Sequence, residues 1–363
     1  MTTSRNSARR VLRRLSPLTR MLHRVALVVL REDDRGQGAH IDPEDPELGA
    51  PDRQRWTRAH RDAVASLTME SFRDAVRPPG GGRERDGALG DLSDYYDISP
   101  DEALQRCLTW EDASLDEWEA APRDTPGGIA KFYDSVTSWS FDLLWYSYLQ
   151  CTGHGYPKSV IIADRLHDLR GSRILDLGSG VGVTGQLFAA LGCRVTLADV
   201  SQPLLDFARW RLERRGTDAE YLHLPAEPAA GAYDLVTALD VMVHVPPSEL
   251  DETVRRVHRA LRPGGLFVTS YDVRRRARNN AWHLYDDDLP LRWAVQRAGL
   301  VPVELLDGIV WTYRAVATDG TSWRLRKAGY WLRLASPPAR ALRRVRRVAA
   351  RAALVLFYRL INA

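Results

Sequence analysis

The chain has 363 residues, 44% of them hydrophobic and 27% charged, a composition typical of globular proteins that excludes wholesale disorder and a membrane bundle. Its longest apolar stretches, residues 25–30 and 352–358, are much shorter than the ~20 residues that span a bilayer. Cys107, Cys151 and Cys193 are too scattered for a disulfide framework or a closed zinc site, so we expect a cytoplasmic protein without a metal site.

Basic residues are concentrated at both ends of the chain, although the formal net charge is only +4. Residues 1–31 contain eight Arg and no acid, and residues 324–363 contain ten Arg, one Lys and no acid. The segment between them holds 32 basic and 47 acidic residues. At both ends apolar residues recur at helical spacing among the arginines, which predicts a basic amphipathic arm (1–31) and a basic amphipathic helical tail (324–363).

Residues 32–96 are predicted to be a linker followed by a helix, and to be partly disordered. The linker, to about residue 52, is rich in Asp, Glu, Pro and Gly. Apolar residues between Trp56 and Val76 then predict one helix, and the sequence RPPGGGRERDG at residues 77–87 predicts a disordered break.

Residues 97–165 are predicted to form a helical cap. Ser99, followed by Pro100 and two acids, is typical of a helix N-terminus, because its hydroxyl can cap the first turn. The cap is dense in aromatic residues at helical spacing, a pattern typical of a packed core, and a lid over a ligand is the alternative. The aromatic residues concerned are Phe132, Tyr133, Trp139, Trp145, Tyr146 and Tyr156.

Short strands and helices alternate after residue 165, which predicts a doubly wound, mostly parallel α/β sheet over residues 166–323. The predicted strands cover 173–177, 194–198, 221–223, 233–238 and 266–270, and the predicted helices cover 182–191, 202–214 and 247–261. In this architecture ligands bind at the carboxyl ends of the strands.

The stretch ILDLGSGVGVTG, residues 174–185, ends the first predicted strand in a glycine-rich loop. The loop satisfies G-x-G-x-x-G from Gly180, and Asp199 follows at the spacing of a ribose-binding acid, so an NAD-dependent oxidoreductase is one hypothesis. Asp176 at the strand tip argues against it, because a carboxylate is poorly suited to a pyrophosphate and better suited to a cationic ligand.

Four segments in register resemble the class I S-adenosylmethionine-dependent methyltransferases, particularly those that act on quinones and other small molecules. The segments are ILDLGSGVGVTG, VTLADVS, AYDLVTALDVMVHVP and LRPGGLFVTSYDV, within residues 172–273. The resemblance implies S-adenosyl-L-methionine as cofactor and a Rossmann-like, seven-stranded sheet. The expected fold is this sheet with a helical N-terminal extension and the basic helical tail.

The resemblance also assigns cofactor-binding residues. Bare backbone at Gly178, Gly180 and Gly182 would let the chain approach the ligand, because a side chain there would occupy its space. Asp176 is assigned to the methionine ammonium and Asp199 to the two ribose hydroxyls.

The sequence departs from the family pattern after the third predicted strand, where an acid usually contacts the adenine. Leu224 or Pro225 stands near that place, and Glu227 or a backbone group is the alternative.

Methyl transfer needs in-line positioning, and it needs a base only where the acceptor must lose a proton. His244 is a candidate base, with Asp240 orienting it or contacting the cofactor, and a loop histidine bonded to backbone is the alternative. Tyr133 is the cap residue that the resemblance places nearest the cofactor, where aromatic faces attract a sulfonium. Further candidates are His154, Tyr271, Asp272 and His283.

The sequence thus favours methyl transfer to O, N or C of a small or lipidic molecule. A catalytically inactive S-adenosylmethionine-binding protein of the same fold is the alternative from another class. Nucleic-acid binding by the basic ends is disfavoured, because few aromatics accompany the arginines and no known module is present. Two hypotheses remain for these ends: contact with an anionic membrane at its inner face, or docking on the acidic region of the same chain.

Overall fold

A computed structural model of the chain describes residues 51, 53, 56–122, 127–166, 168–273, 281–285 and 288–317. These residues belong to one compact unit, Arg35–Thr318. The predicted arm at 1–31, the predicted tail at 324–363 and most of the predicted linker lie outside the described residues. Within the described part of the chain, no helix combines the length and apolar character needed to cross a membrane.

Seven strands form a single sheet in the order β3-β2-β1-β4-β5-β7-β6. Strands β1 to β5 pair in parallel, and β7 is antiparallel to both β5 and β6. The strands are β1 (Arg173–Leu177), β2 (Arg194–Asp199), β3 (Glu220–His223), β4 (Tyr233–Ala238), β5 (Leu261–Ser270), β6 (Leu300–Leu306) and β7 (Val310–Ala315). The predicted Rossmann-like, mostly parallel seven-stranded sheet is confirmed.

The order of the strands determines where in the fold a ligand-binding crevice can form. The chain runs outward through β1, β2 and β3, and then returns to pair β4 with the other side of β1. Such a reversal opens a crevice beyond the carboxyl ends of the two central strands. The antiparallel β7 between β5 and β6 departs from the parallel order 3-2-1-4-5-6 of dinucleotide-binding sheets.

Helices cover both faces of the sheet. The N-terminal helices are α1 (Arg58–Val64), α2 (Leu67–Val76), α3 (Glu84–Tyr96), α4 (Pro100–Leu108), α5 (Trp110–Ala120), α6 (Gly128–Ser135), α7 (Trp139–Cys151) and α8 (Lys158–Arg165). The helices between strands are α9 (Val183–Ala190), α10 (Gln202–Arg214), α11 (Leu250–Ala260) and α12 (Leu289–Arg297). One buried cluster joins the sheet to α9, α10 and helices of the N-terminal extension, and a second joins it to α11 and α12.

The N-terminal extension differs from its prediction in two places. The single helix expected between Trp56 and Val76 is two helices, because Thr57 and Ser66 each cap a new first turn with their hydroxyls. The segment 77–87, expected to be disordered, contains the start of α3. Gly87 fits there because a Cβ would lie 2.1 Å from the carbonyl oxygen of Val76, so only glycine allows this close approach.

Arg211 on α10 connects the extension to the glycine-rich loop, with its side chain fully enclosed. Its Nε donates to Asp91 of α3 at 2.8 Å, and its two terminal nitrogens donate to the carbonyl oxygens of Val181 (2.7 Å) and Ala75 (2.8 Å). Burial lowers the pKa of Arg211 to about 10, although Asp91 opposes the shift. One side chain therefore contacts α2, α3 and the loop after β1.

Candidate active site

A cavity of about 710 Å³ opens at the carboxyl ends of β1, β2 and β4. Helices α6, α7 and α8 form one side, and the loops after β3, β4 and β5 form the other. Six of the eight residues assigned from the sequence line this cavity: Tyr133, Gly178, Gly180, Asp199, Asp240 and His244. The prediction that the site lies at this edge of the sheet agrees with the geometry.

The glycine-rich loop forms the floor of the cavity at two positions. Gly178 and Gly180 have positive φ angles of 68° and 52°, in the left-handed region that favours glycine. A Cβ at Gly178 would lie 2.3 Å from Val241, and one at Gly180 would lie 2.6 Å from Leu143. Both neighbours line the cavity, so any larger residue would displace its walls.

Gly182 is not in the cavity lining, and this corrects the role expected for it. A Cβ there would meet Ala208 and Leu212 of α10 at 3.1 Å, so the glycine lets α9 begin close to its neighbours. Gly185 acts in the same way, with a Cβ position 2.2 Å from Leu197 of β2. The last two glycines of the motif therefore serve packing between helix and sheet rather than ligand contact.

Asp199 ends β2 and holds the glycine-rich loop. Its Oδ2 accepts a 2.8 Å hydrogen bond from the Gly180 amide, and its Oδ1 accepts one of 2.9 Å from the Ser201 amide. Burial raises the pKa of Asp199, and these backbone donors oppose the rise. Each carboxylate oxygen can accept two bonds, so the group can still receive two hydroxyl donors from a ligand.

Asp176 lies in β1 directly beneath the loop and is 3% exposed. Its Oδ1 accepts a 2.6 Å hydrogen bond from Thr237 of β4, whereas its Oδ2 is buried without a partner among the described residues. Burial raises its pKa to about 7, and the nearby Asp199 adds to the rise while the Thr237 hydroxyl and the Gly185 amide oppose it. A buried acceptor of this kind favours a cationic or donor group close by.

His244 follows β4 and belongs to an aromatic cluster. Its Nδ1 lies 3.2 Å from the carbonyl oxygen of Trp282, which can only accept, so Nδ1 carries the proton and Nε2 has a free lone pair. Burial lowers the pKa of His244 to about 4, and neighbouring His283, at 4.9 Å between ring centroids, adds to the decrease. The ring is therefore neutral near pH 7.

Asp240 does not orient His244, contrary to one of the two roles expected for it. Its carboxylate pairs with Lys158 through Oδ2 and accepts a 2.8 Å hydrogen bond from Ser270 through Oδ1. Burial, the largest influence, lowers the pKa of Lys158, but Asp240 together with Tyr146 and Asp272 outweighs it, so that the pKa is raised. A partly buried ion pair therefore lies in the cavity wall, and the orienting group for His244 is a backbone carbonyl.

Some aromatic residues of the cap line the cavity, and others belong to the hydrophobic core. Tyr133, Trp139 and Tyr146 line the cavity, while Phe132, Trp145 and Tyr156 are buried elsewhere. Tyr133 donates to the carbonyl oxygen of Trp282 at 3.1 Å, and Trp139 lies 5.4 Å from the His244 ring. Lining residues that the sequence did not indicate include Trp110, Lys158 and Trp282.

The remaining candidates separate clearly. Leu224 and Pro225 line the cavity, as do Asp272 and His283. Glu227 does not: its side chain is 56% exposed and pairs with Arg256 and Arg259. His154 and Tyr271 are also outside the lining. His154 bonds Thr152 at 2.8 Å, and Tyr271 donates to the Tyr313 hydroxyl at 3.1 Å.

These features fit a ligand with a cationic portion and a ribose. Bare backbone stands at Gly178 and Gly180, and Asp176 offers a buried oxygen without a partner. Asp199 presents a carboxylate to the cavity at the end of the neighbouring strand. No group of three or more potential metal ligands occurs among the described residues.

A family model described as a methyltransferase domain matches residues 175–267, the region from β1 to β5. The ubiquinone biosynthesis O-methyltransferase of Aromatoleum aromaticum is 38% identical over 106 residues, which cover 28% of this chain and 44% of that protein. The enzyme of the same name from Ruegeria pomeroyi is 34% identical over 126 residues, 34% of this chain and 50% of its own length. The chain spans about half the length of these relatives.

Among solved structures, the Burkholderia thailandensis 1,6-didemethyltoxoflavin-N1-methyltransferase is 26% identical, with a TM-score of 0.36 over 44% of this chain and 77% of that chain. The [4+2]-cyclase SpnF is 18% identical, with a TM-score of 0.39 over 44% of this chain and 80% of that chain.

The family match covers the strand side of the site, whereas the lining residues of α6 to α8 and of the segment after β5 lie outside it. It begins within β1, includes the glycine-rich loop and both strand-end carboxylates, and ends within β5. The region from β1 to β5 is therefore similar to a methyltransferase domain and to O-methyltransferases of ubiquinone biosynthesis.

Proposed function

We propose that the protein transfers a methyl group from S-adenosylmethionine to an oxygen of a small molecule that carries an aromatic hydroxyl. The observation that carries the proposal is the placement of His244. Its free Nε2 belongs to a ring that lines the same cavity as Gly178, Gly180 and Asp199. A neutral imidazole whose Nε2 has no partner among the described residues suits proton removal from a hydroxyl.

Different residues of the cavity have different roles in the proposed reaction. Asp199 in the cavity lining would hold the cofactor, with Asp176 acting from beneath the glycine-rich loop, and the cofactor would supply the electrophilic methyl group when bound. Trp282 fixes the tautomer of His244, and His244 takes the acceptor proton on Nε2. Tyr133 and Trp139 exclude water from the cavity and orient the acceptor ring.

The cavity wall supports an aromatic acceptor rather than an aliphatic one. Trp110, Trp139 and Trp282 contribute flat apolar surface, and the indole NH of Trp139 is buried without a partner among the described residues. The relatives named above are O-methyltransferases of ubiquinone biosynthesis, which agrees with an oxygen as the methyl acceptor.

Formation of S-adenosylhomocysteine by the full chain tests the proposal. We expect turnover with catechols and alkylated phenols and none with aliphatic amines, and we expect D199N to abolish it. D206N, an exposed acid on α10 outside the cavity, is the matched control and should keep it. Binding of S-adenosylhomocysteine without turnover of any acceptor would favour an inactive binding protein, and preferential binding of NADH would favour an oxidoreductase.

We also propose that the two basic ends bring the protein to an anionic membrane, which would suit a lipid-like acceptor. The support is the sequence pattern: apolar residues at helical spacing among arginines, without any acid, in both 1–31 and 324–363. The acidic region between them would be repelled by such a surface, so the ends must provide the attraction.

A further inference from the structure

Lys158 places an ammonium group in the wall of the candidate active site. It is the first residue of α8, and its side chain is 9% exposed. A lysine is unfavourable at this position for two reasons. Burial removes water from its charge, and the beginning of a helix is the positive end of the helix dipole. Either a structural contact or the chemistry of the cavity that Lys158 lines must account for it.

The ion pair between Lys158 and Asp240 is not explained by stability. Replacing a buried ion pair with apolar residues of similar volume is often neutral or stabilising, so the packing of α8 against the loop after β4 does not require these charges. Asp240 also has a φ of 60°, in the sparsely populated left-handed region. Among the described non-glycine residues with positive φ, it is the one that lines this cavity. Strained backbone of this kind is typical of functional sites.

Asp240 holds the ammonium group in a fixed place, because the carboxylate is itself fixed by β5. The Asp240 amide donates to the hydroxyl of Ser270 at 3.0 Å, and that hydroxyl donates to Oδ1 of Asp240 at 2.8 Å. Ser270 is the last residue of β5 and is fully buried. Oδ2 is left for Lys158, so the position of the ammonium group is set by the ends of β4 and β5.

The ammonium group of Lys158 can donate further hydrogen bonds. It has three N–H donors, and within the described part of the chain Oδ2 of Asp240 is the acceptor that it meets. It also stays charged near pH 7, because Asp240, Tyr146 and Asp272 together outweigh the effect of burial on its pKa. A ligand in the cavity can therefore receive a hydrogen bond from a full positive charge.

The proposed base lies in the same part of the cavity. Asp240 and His244 belong to one turn, in which the His244 amide donates to the carbonyl oxygen of Val241 at 2.9 Å. Asp240 and Asp272 both influence the pKa of Lys158 and that of His244. An oxygen bound in this part of the cavity can meet a charged donor and a proton acceptor together.

We propose that Lys158 is a further catalytic residue, which donates a hydrogen bond to the acceptor oxygen while His244 removes the proton from it. This inference rests on the methyl transfer proposed above. The oxygen becomes negatively charged, and the ammonium group stabilises that charge. The oxygen then bonds to the methyl carbon as the bond from carbon to sulfur breaks. The proton stays on Nε2 of His244, and the electron pair of the broken bond stays on sulfur. Lys158 therefore favours phenols, whose oxygen ionises readily, over aliphatic alcohols.

Binding of 4-nitrophenol tests this role without any methyl transfer, because its absorption spectrum distinguishes the phenol from the phenolate. The probe is added to the full chain saturated with S-adenosylhomocysteine, and its spectrum is followed as the pH is varied. In the wild type we expect the bound probe to ionise at least about one pH unit below the free probe, which corresponds to about tenfold tighter binding of the phenolate. K158M should abolish this shift, and K158R should keep part of it.

The matched control is K131M, which removes the same charge from an exposed lysine of the same cavity lining. It should leave the ionisation of the bound probe as in the wild type. Asp176 titrates in the same range in every variant, so its effect cancels in the comparison. If K158M does not bind S-adenosylhomocysteine, K158M/D240N takes its place, because it removes both charges of the pair and leaves neither unpaired.

Equal effects of K158M and K131M, or no saturable binding of the probe to the wild type, would overturn the role of Lys158. H244A should keep the shift in the ionisation of the bound probe, although it should lose turnover. Failure of this inference is therefore distinguishable from failure of the proposed methyl transfer.

Discussion

Thr237 donates a 2.6 Å hydrogen bond to one oxygen of Asp176, and the other oxygen of that carboxylate is buried without a partner among the described residues. The arrangement holds Asp176 in one orientation beneath the glycine-rich loop. It also leaves a carboxyl group whose pKa is raised to about 7, chiefly by burial. Ligand affinity and protein stability should both depend on whether Asp176 is protonated.

Affinity for S-adenosylhomocysteine should fall as the pH drops below about 7. In that range Asp176 is protonated in the protein, and the proton must leave before the carboxylate can face an ammonium group. The dissociation constant should then rise by up to about tenfold per pH unit. Calorimetry between pH 5.5 and 8.5 measures this, and D176N, which cannot ionise, should flatten the dependence. A flat profile for the wild type would contradict the assignment.

The free energy of unfolding should fall as the pH rises, because of the raised pKa of Asp176. An unfolded Asp loses its proton near 3.8, but the folded protein keeps it up to about pH 7. The folded state therefore binds more protons between these values, and this contribution to stability is lost as the pH rises through the window. D176N keeps an acceptor for Thr237. We therefore expect its free energy of unfolding to exceed that of the wild type by about 1–3 kcal/mol at pH 8 but not at pH 4. Urea unfolding at the two pH values checks this.

Removing His244 should reduce turnover while sparing the cofactor. H244A is expected to lower kcat about a hundredfold or more, because it removes the proposed base, with nearly unchanged affinity for S-adenosylhomocysteine. Since the pKa of His244 is lowered to about 4, the acid limb of the kcat profile due to this group should lie near that value rather than near 6.5. Turnover equal to the wild type would leave His244 as a loop residue bonded to backbone.

The buried charges around Arg211 should dominate the stability of the N-terminal extension. D91A leaves both Arg211 and Arg215 without their acid in an enclosed site, and we expect a loss of about 3–5 kcal/mol in the free energy of unfolding. D94A removes the exposed partner of Arg214 one turn along α3 and should cost less than about 1 kcal/mol. Chemical denaturation of the two variants compares them, and similar losses would show that burial of the pair is unimportant.

Membrane association should depend on the basic tail. Replacing Arg343, Arg344, Arg346, Arg347 and Arg351 with glutamine should abolish flotation of the full chain with phosphatidylserine vesicles, at about 1 kcal/mol per basic residue. Phosphatidylcholine vesicles are the control and should not bind either form. If the wild-type chain fails to float at low salt, docking of the ends within the chain becomes the better hypothesis.

Much of the central fold could be predicted because its signals are local. Strands β1 and β4 and helix α10 have the predicted bounds, since each is a buried apolar run or a periodic segment between clear stop signals. The capping hydroxyl of Ser99 begins α4 as expected, accepting from the Glu102 amide at 3.1 Å. The end of α1 was missed, because apolar spacing continues through Ser66 and only the cap interrupts it.

Much of the site could not be predicted, because its contacts join distant parts of the chain. Lys158 meets Asp240 across 82 positions, and Tyr133 reaches the carbonyl oxygen of Trp282 across 149. Nothing adjacent to Lys158 in the sequence indicates a buried ion pair. The two cavity-facing glycines and the two that serve packing belong to one motif, and only the fold separates them.

The three contacts of Arg211 define how much of the chain must fold together. This side chain bonds the carbonyl oxygens of Ala75 and Val181 as well as Asp91, so α2 and α3 complete the hydrogen bonding of a residue inside the methyltransferase domain. A chain shortened to begin after α3 would leave that guanidinium with one of its three acceptors, the carbonyl oxygen of Val181. Helices α2 and α3, which precede the family match, thus complete the hydrogen bonding of the matched region, and trimming the chain to the matched residues would remove those contacts.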